Sequence, residues 1–206
     1  MLSNRFFYLK ILTILLIIVS FFTGFILKEN AAGGGPEFFV MEWPIILSLK
    51  KDFLYTIKNY GLFGDYTMPF PHMLNAFLNP FSNDPASLQL FNTFICFGIF
   101  FILFITVRKV FSNIPRIDIF LISSLILILP MFRTSAFWGK QENYGWLFLI
   151  IAFYFFFEIK KNLKNSPNKK DILNIILFCL ASSLALYARQ ALFFFPISYL
   201  LYIFFN

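Results

Sequence analysis

The sequence predicts an all-α fold, a polytopic transmembrane helix bundle of about six spans, with one long external loop that contains an interfacial amphipathic helix. Three observations carry this prediction. Hydrophobic residues make up 59% of the 206-residue chain and charged residues only 13%, at a mean hydropathy of +0.76, more apolar material than a water-soluble core of this size needs. The apolar runs are rich in Phe, of which there are 33, and almost free of Gly and Pro, so in lipid they satisfy their own backbone only as helices. The Lys and Arg residues gather in short loops between the runs, as they do on the cytoplasmic side of membrane proteins.

A span needs about 20 apolar residues. Residues 6–27 and 88–107 meet that length. Residues 117–132, 144–159, 172–188 and 191–205 are shorter and borrow interfacial residues such as Trp138, Trp146 and Tyr199. Residues 1–206 read as a single membrane domain. The N-terminal run has the outline of a signal peptide, with Arg5 and Lys10 ahead of it. Its length and the polar Lys28-Glu29-Asn30 after it favour a span, with Ala31-Ala32 leaving cleavage as the alternative. The chain stops at Asn206 directly after an apolar run, which suggests a fragment or a short member of a longer family.

Orientation follows from the basic loops. Arg108, Lys109 and Arg116 join the second and third spans, and Lys160, Lys161, Lys164, Lys169 and Lys170 join the fourth and fifth. Both loops belong inside, which puts the N-terminus in the cytoplasm of a bacterial inner-membrane or endoplasmic-reticulum protein. Residues 28–86, 133–143 and the Arg189-Gln190 corner then lie outside. The net charge of +7 is accounted for by the inner loops, so membrane lipids are expected partners and nucleic acid is not. Cys96 and Cys179 lie within apolar runs and read as small apolar side chains.

The external loop 28–86 has its own organisation. Between Pro44 and Tyr60, the residues Ile46, Leu49, Phe53, Ile57 and Tyr60 fall at helical spacing, with Lys50, Lys51, Asp52 and Lys58 elsewhere. Such a helix lies in the membrane interface or packs on the other spans. A second short helix, residues 73–78, is stopped by Pro80, and Asp84-Pro85 supplies an N-cap and first-turn proline for the second span.

Candidate chemistry sits on the outer side. The loop carries six carboxylates, Glu29, Glu37, Glu42, Asp52, Asp65 and Asp84, against four lysines. Gly33-Gly34-Gly35-Pro36 allows a tight turn that holds Glu37 near the membrane face, with Glu42 five residues on. Two such acids suit a general base with an orienting or metal-binding neighbour, and a plain solvated loop is the alternative. A divalent cation is compatible with these acids but not required; no cofactor and no defined metal set is expected. The turn Gly64-Asp65-Tyr66-Thr67-Met68-Pro69-Phe70-Pro71-His72 offers Asp65 and His72 as polar edges, although a lone loop His is often a bystander. Arg133, Lys140 and the Arg189-Gln190 pair complete the set. A guanidinium between two apolar runs needs an anion, so Arg189 pairs with a loop carboxylate, reaches to lipid headgroups, or clamps the phosphate of a lipid substrate. Walker, dinucleotide-binding, HExxH and nucleophile-elbow motifs are absent from the sequence.

This order of features, one span, a long external loop with an early acid and then further spans, resembles the GT-C class of membrane glycosyltransferases, which use polyprenyl-phosphate-linked sugars. Within that class, Pro36-Glu37-Phe38-Phe39, the segment from Gly64 to Leu74 and Ala188-Arg189-Gln190-Ala191 are similar to motifs of the dolichyl-phosphate-glucose alpha-1,2-glucosyltransferase family. The resemblance covers the N-terminal half of a typical member. Pro36-Glu37 stands where that family has an aspartate-glutamate pair, Phe70 splits its double proline, and the residues after Gln190 are apolar. The resemblance implies a polyprenyl-phosphate sugar as donor and a glycan, lipid or protein hydroxyl as acceptor. It also implies Glu37 as catalytic base, and Glu42, Asp65, His72, Arg133, Lys140, Arg189 and Gln190 as substrate-binding residues. A transporter or flippase fragment and a non-catalytic membrane assembly subunit are the competing readings.

Overall fold

A computed structural model describes residues 2–30, 34–63, 68–77, 84–140, 142–162 and 169–205. Among them the chain is helical, with no strand. Helix α1 is Leu2–Ile26. The external loop then forms α2 (Gly34–Glu37), a wide π turn (Phe38–Glu42), α3 (Trp43–Lys51), α4 (Phe53–Lys58), a 3₁₀ turn (Tyr60–Phe63) and α5 (Phe70–Phe77). Helices α6 (Pro85–Val110), α7 (Arg116–Ser124) with a 3₁₀ extension (Leu125–Ile128), and α8 (Pro130–Phe137) follow. Next come α9 (Glu142–Asn162), α10 (Lys169–Ala188), a 3₁₀ turn (Gln190–Phe193) and α11 (Phe194–Phe205).

Four helices are long and apolar enough to cross a membrane, within α1, α6, α9 and α10, and the bent pair α7–α8 makes a fifth if counted as one span. The chain is a membrane protein on this evidence. Within the bent pair, α7 and α8 meet at an angle of 67°. Pro130 cannot donate to the helical ladder, and it pushes Leu129 into an extended conformation (ψ 122°). The last apolar helix, α11, has 12 described residues, about 18 Å of helix.

Aromatic and small side chains hold the bundle together. Ile17 and Phe21 of α1 are buried with Cys96, Ile99 and Phe100 of α6, Leu127, Phe132 and Phe137 of the bent pair, and Ile150 of α9. Ring contacts such as Phe100 to Phe120 (centroids 4.8 Å apart) knit α6 to α7. Ala181, Ala185 and Ala188 lie on one buried stripe of α10, the small-residue spacing that lets two membrane helices approach closely; Ala181 packs there with Ala152, Phe156 and Ile159 of α9. The opposite stripes, including Leu9, Leu12, Leu16 and Val19 of α1 and Ile172, Ile176 and Leu180 of α10, are exposed. Lipid is the medium that covers such faces.

The charges segregate to the two ends of the bundle. At one end Lys10 pairs with Asp118 and Lys109 with Glu158, with Lys170 at 3.9 Å from Glu158. At the other end Glu29 meets Arg133, Glu37 meets Lys140, and Glu142 meets Arg189. Helices α1 and α10 thus run from the first charged end to the second, and α6 and α9 run the opposite way.

The amphipathic stretch between Pro44 and Tyr60 forms two helices rather than one. Asp52 is extended (φ −150°), and its carboxylate accepts from Tyr55 N at 2.9 Å, capping a new helix at Phe53. Ile46, Leu49 and Tyr60 are buried with Ala76 of α5 and Leu88 of α6, so this stripe packs on protein. Leu47, Leu54 and Leu62 remain exposed.

Candidate active site

The helical run from Gly34 to Lys51 carries both early carboxylates. Its wide turn, in which Trp43 N bonds Phe38 O, lies immediately before Pro44, whose ring cannot donate to the Val40 carbonyl. Glu37 and Glu42 engage different partners. Glu37, with a side chain 46% exposed, forms an ion pair with Lys140. Glu42 is buried and meets His72 Nε2 at 2.5 Å.

His72 is also buried, on α5, and its Nδ1 lies 2.6 Å from the Tyr60 hydroxyl. A carboxylate can only accept, so Nε2–H donates to Glu42, and Nδ1 shares its bond with the Tyr60 hydroxyl. The resulting Glu42–His72–Tyr60 chain ties together three pieces of the external loop. All three side chains are buried. Asp65 lies outside the described residues.

The connection between α8 and α9 is the hub. Gly139 takes a left-handed conformation (φ +64°), where a Cβ would sit 2.9 Å from Asn92 Nδ2. Trp138 closes over Gly35, whose added Cβ would meet the indole at 3.1 Å, and donates from Nε1 to Glu29 O at 3.0 Å. Tyr144 donates to Asn75 Oδ1 at 2.6 Å, Asn92 donates to the same oxygen at 3.2 Å, and Asn75 reaches Gly139 O at 3.4 Å. Lys140 holds Glu37. Two residues on, Glu142 Oε1 holds Arg189 Nη1 at 3.4 Å.

Arg133 is buried on α8. It donates to Ser20 Oγ at 2.9 Å, Ser20 O at 3.0 Å and Glu29 Oε2 at 2.5 Å, and its guanidinium lies over Phe137. These contacts fasten α1 to α8. Gln190 lines a separate apolar cavity of about 380 Å³ with Met68, Leu186 and Tyr187. The Arg189 side chain, 43% exposed, and Leu192 line a cavity between α8 and α9 together with Ser135, Glu142, Asn143 and Trp146. Among the described residues no three His, Cys, Asp or Glu side chains come together as a metal-binding set.

The sequence shows that Arg189 needs an anion but leaves the partner open. It gives no individual role to Tyr60, Glu29 or Asn143, and none to the Asn75–Asn92–Tyr144 network. Asn92 within an apolar spanning helix was a usable signal, because polar side chains in such helices are costly unless paired. Comparison with known proteins adds nothing to the geometry: no family model, curated protein or solved structure matches the chain.

Proposed function

We propose that the chain is a membrane glycosyltransferase that moves a sugar from a polyprenyl-phosphate donor to an acceptor hydroxyl on the external or lumenal face. One observation supports this reading above the rest. Glu37 and Arg189, far apart in sequence, are each held by a residue of the same short connection, Lys140 and Glu142. Two residues of chain span at most about 7 Å. A candidate base and candidate phosphate-binding cations therefore share one compact patch at the charged end that carries the long loop.

In the proposed reaction the acceptor oxygen bonds the anomeric carbon as the carbon–oxygen bond to the lipid phosphate breaks. The electron pair leaves with the phosphate, and the acceptor proton passes to Glu37. Lys140 and Arg189 stabilise the charge that grows on the phosphate. In the resting protein both cations are occupied by carboxylates. The donor phosphate competes for Lys140, and that exchange frees Glu37 to act. The exposed Leu47, Leu54 and Leu62 give the external loop apolar surface for a lipid tail.

A transporter or flippase reading draws on the bend at Pro130, since broken helices mark substrate paths in transporters. Against it, the polar groups beyond that bend lie at one end of the bundle, where Arg133 is consumed by Glu29 and Ser20. The test uses the full-length protein in proteoliposomes supplied with a radiolabelled short-chain prenyl-phosphate hexose and a panel of acceptor alcohols. Release of prenyl phosphate with the label on an acceptor supports the transferase. Movement of intact donor across the bilayer without cleavage contradicts it.

A further inference from the structure

The cavity between α8, α9 and the turn after Arg189 has a volume of about 230 Å³ and is lined by Asn143 and Glu142, whose side chains hold polar atoms with no oxygen or nitrogen partner among the described residues. Asn143 is 1% exposed, yet neither its oxygen nor its nitrogen makes a hydrogen bond. The Asn143 amide has the Cys96 sulfur beside it, a weak acceptor. Glu142 spends Oε1 on Arg189, and its Oε2 is likewise buried without a partner. Buried polar groups are nearly always paired in folded proteins, so these atoms mark a place where something else binds.

Their chemistry restricts the occupant. Asn143 offers one donor group and one acceptor, and Glu142 Oε2 offers a further acceptor. An apolar ligand leaves all of them unpaired, and an anion is repelled by Glu142 and the amide oxygen. A hydroxyl both donates and accepts, so a group bearing several hydroxyls meets the set. Trp146 contributes an indole 41% exposed, an apolar face suited to the carbon side of a sugar ring, and Arg189 stands at the rim for a phosphate.

We infer that this cavity is a carbohydrate subsite that holds the sugar of the lipid-linked donor, with Asn143 as a specificity-determining residue. The ligand's identity rests on the transferase reading; the subsite itself rests on the orphaned amide and carboxylate.

The test measures binding, not turnover. Full-length protein in nanodiscs is titrated calorimetrically with a short-chain prenyl phosphate and with its glucosyl, mannosyl and N-acetylglucosaminyl phosphodiesters. Wild type is expected to prefer at least one glycosylated probe over the bare phosphate by about tenfold or more. Asn143→Leu, close in size but apolar, is expected to erase that preference and leave affinity for the bare prenyl phosphate unchanged. Its melting temperature should hold or rise, because replacing an unpaired buried amide by an apolar group removes a cost. Equal affinity of wild type for all probes, a preference that survives Asn143→Leu, or a fall in its melting temperature would each overturn the proposal. Preferential binding without transfer to any acceptor would retire the transferase reading and leave the subsite standing.

Discussion

Replacing His72 with Ala removes the middle of the Glu42–His72–Tyr60 chain and strands a buried carboxylate. The expected loss is about 3 kcal/mol of stability, read as a lower melting temperature in detergent. Tyr60→Phe, which removes the Tyr60–His72 hydrogen bond at 2.6 Å and leaves the His72–Glu42 contact in place, should cost about 1 kcal/mol. Equal melting temperatures for the two variants would contradict the relay. Gly139→Ala is expected to destabilise by about 1–2 kcal/mol, because a Cβ is strained at positive φ and meets Asn92. At this scale the sequence disclosed needs but not partners. Arg189 between two apolar runs visibly required an anion, whereas the choice of Glu142 depends on how α9 and α10 pack. Glu42 and His72 are 30 residues apart in the chain, and their pairing exists only once α3 and α5 lie together.

Among the elements, α6 has the clearest boundary. Asp84 accepts from Ser87 N at 2.9 Å and from the Ser87 hydroxyl at 2.5 Å. The Ser87 hydroxyl first, then its backbone N–H, holds the Asp84 carboxyl below its ordinary 3.8. A carboxyl lowered in the folded state contributes its stabilisation fully above the unfolded value and loses it as pH falls through the folded one. The first turn of α6 should therefore stay protected at neutral pH and fray below pH 3.8, and Asp84→Ala should fray it at neutral pH; hydrogen exchange of residues 85–88 measures both. The Asp84-Pro85 start was legible because capping is local chemistry. The break at Asp52 uses the same chemistry but is masked by an apolar pattern that runs on through it. The bend at Pro130 escaped because a proline near the end of an apolar run reads equally well as a terminus or as a kink; packing of Phe132 and Phe137 against α1 and α6 decides.

Across the whole molecule, the helical class and the membrane setting follow from composition, since no other solvent accommodates so many exposed Leu, Ile and Phe side chains. The distribution of ion pairs between two ends makes a topological prediction. Leu62→Cys and Lys161→Cys, both at exposed positions, should label with an impermeant maleimide from opposite sides of sealed vesicles. Labelling from the same side would contradict the arrangement. What the sequence did not disclose is that the α8–α9 connection gathers α2, α5, α6 and the end of α10, because that convergence joins segments more than 100 residues apart. The central claim is that Glu37, paired with Lys140 at rest, is the base of a sugar transfer. It is tested most directly by single-turnover transfer from a prenyl-phosphate hexose in proteoliposomes, comparing wild type with Glu37→Gln. The account predicts a fall of at least about 100-fold in the transfer rate, the range for loss of a general base, with donor binding retained. A Glu37→Gln protein that transfers sugar at the wild-type rate would contradict it.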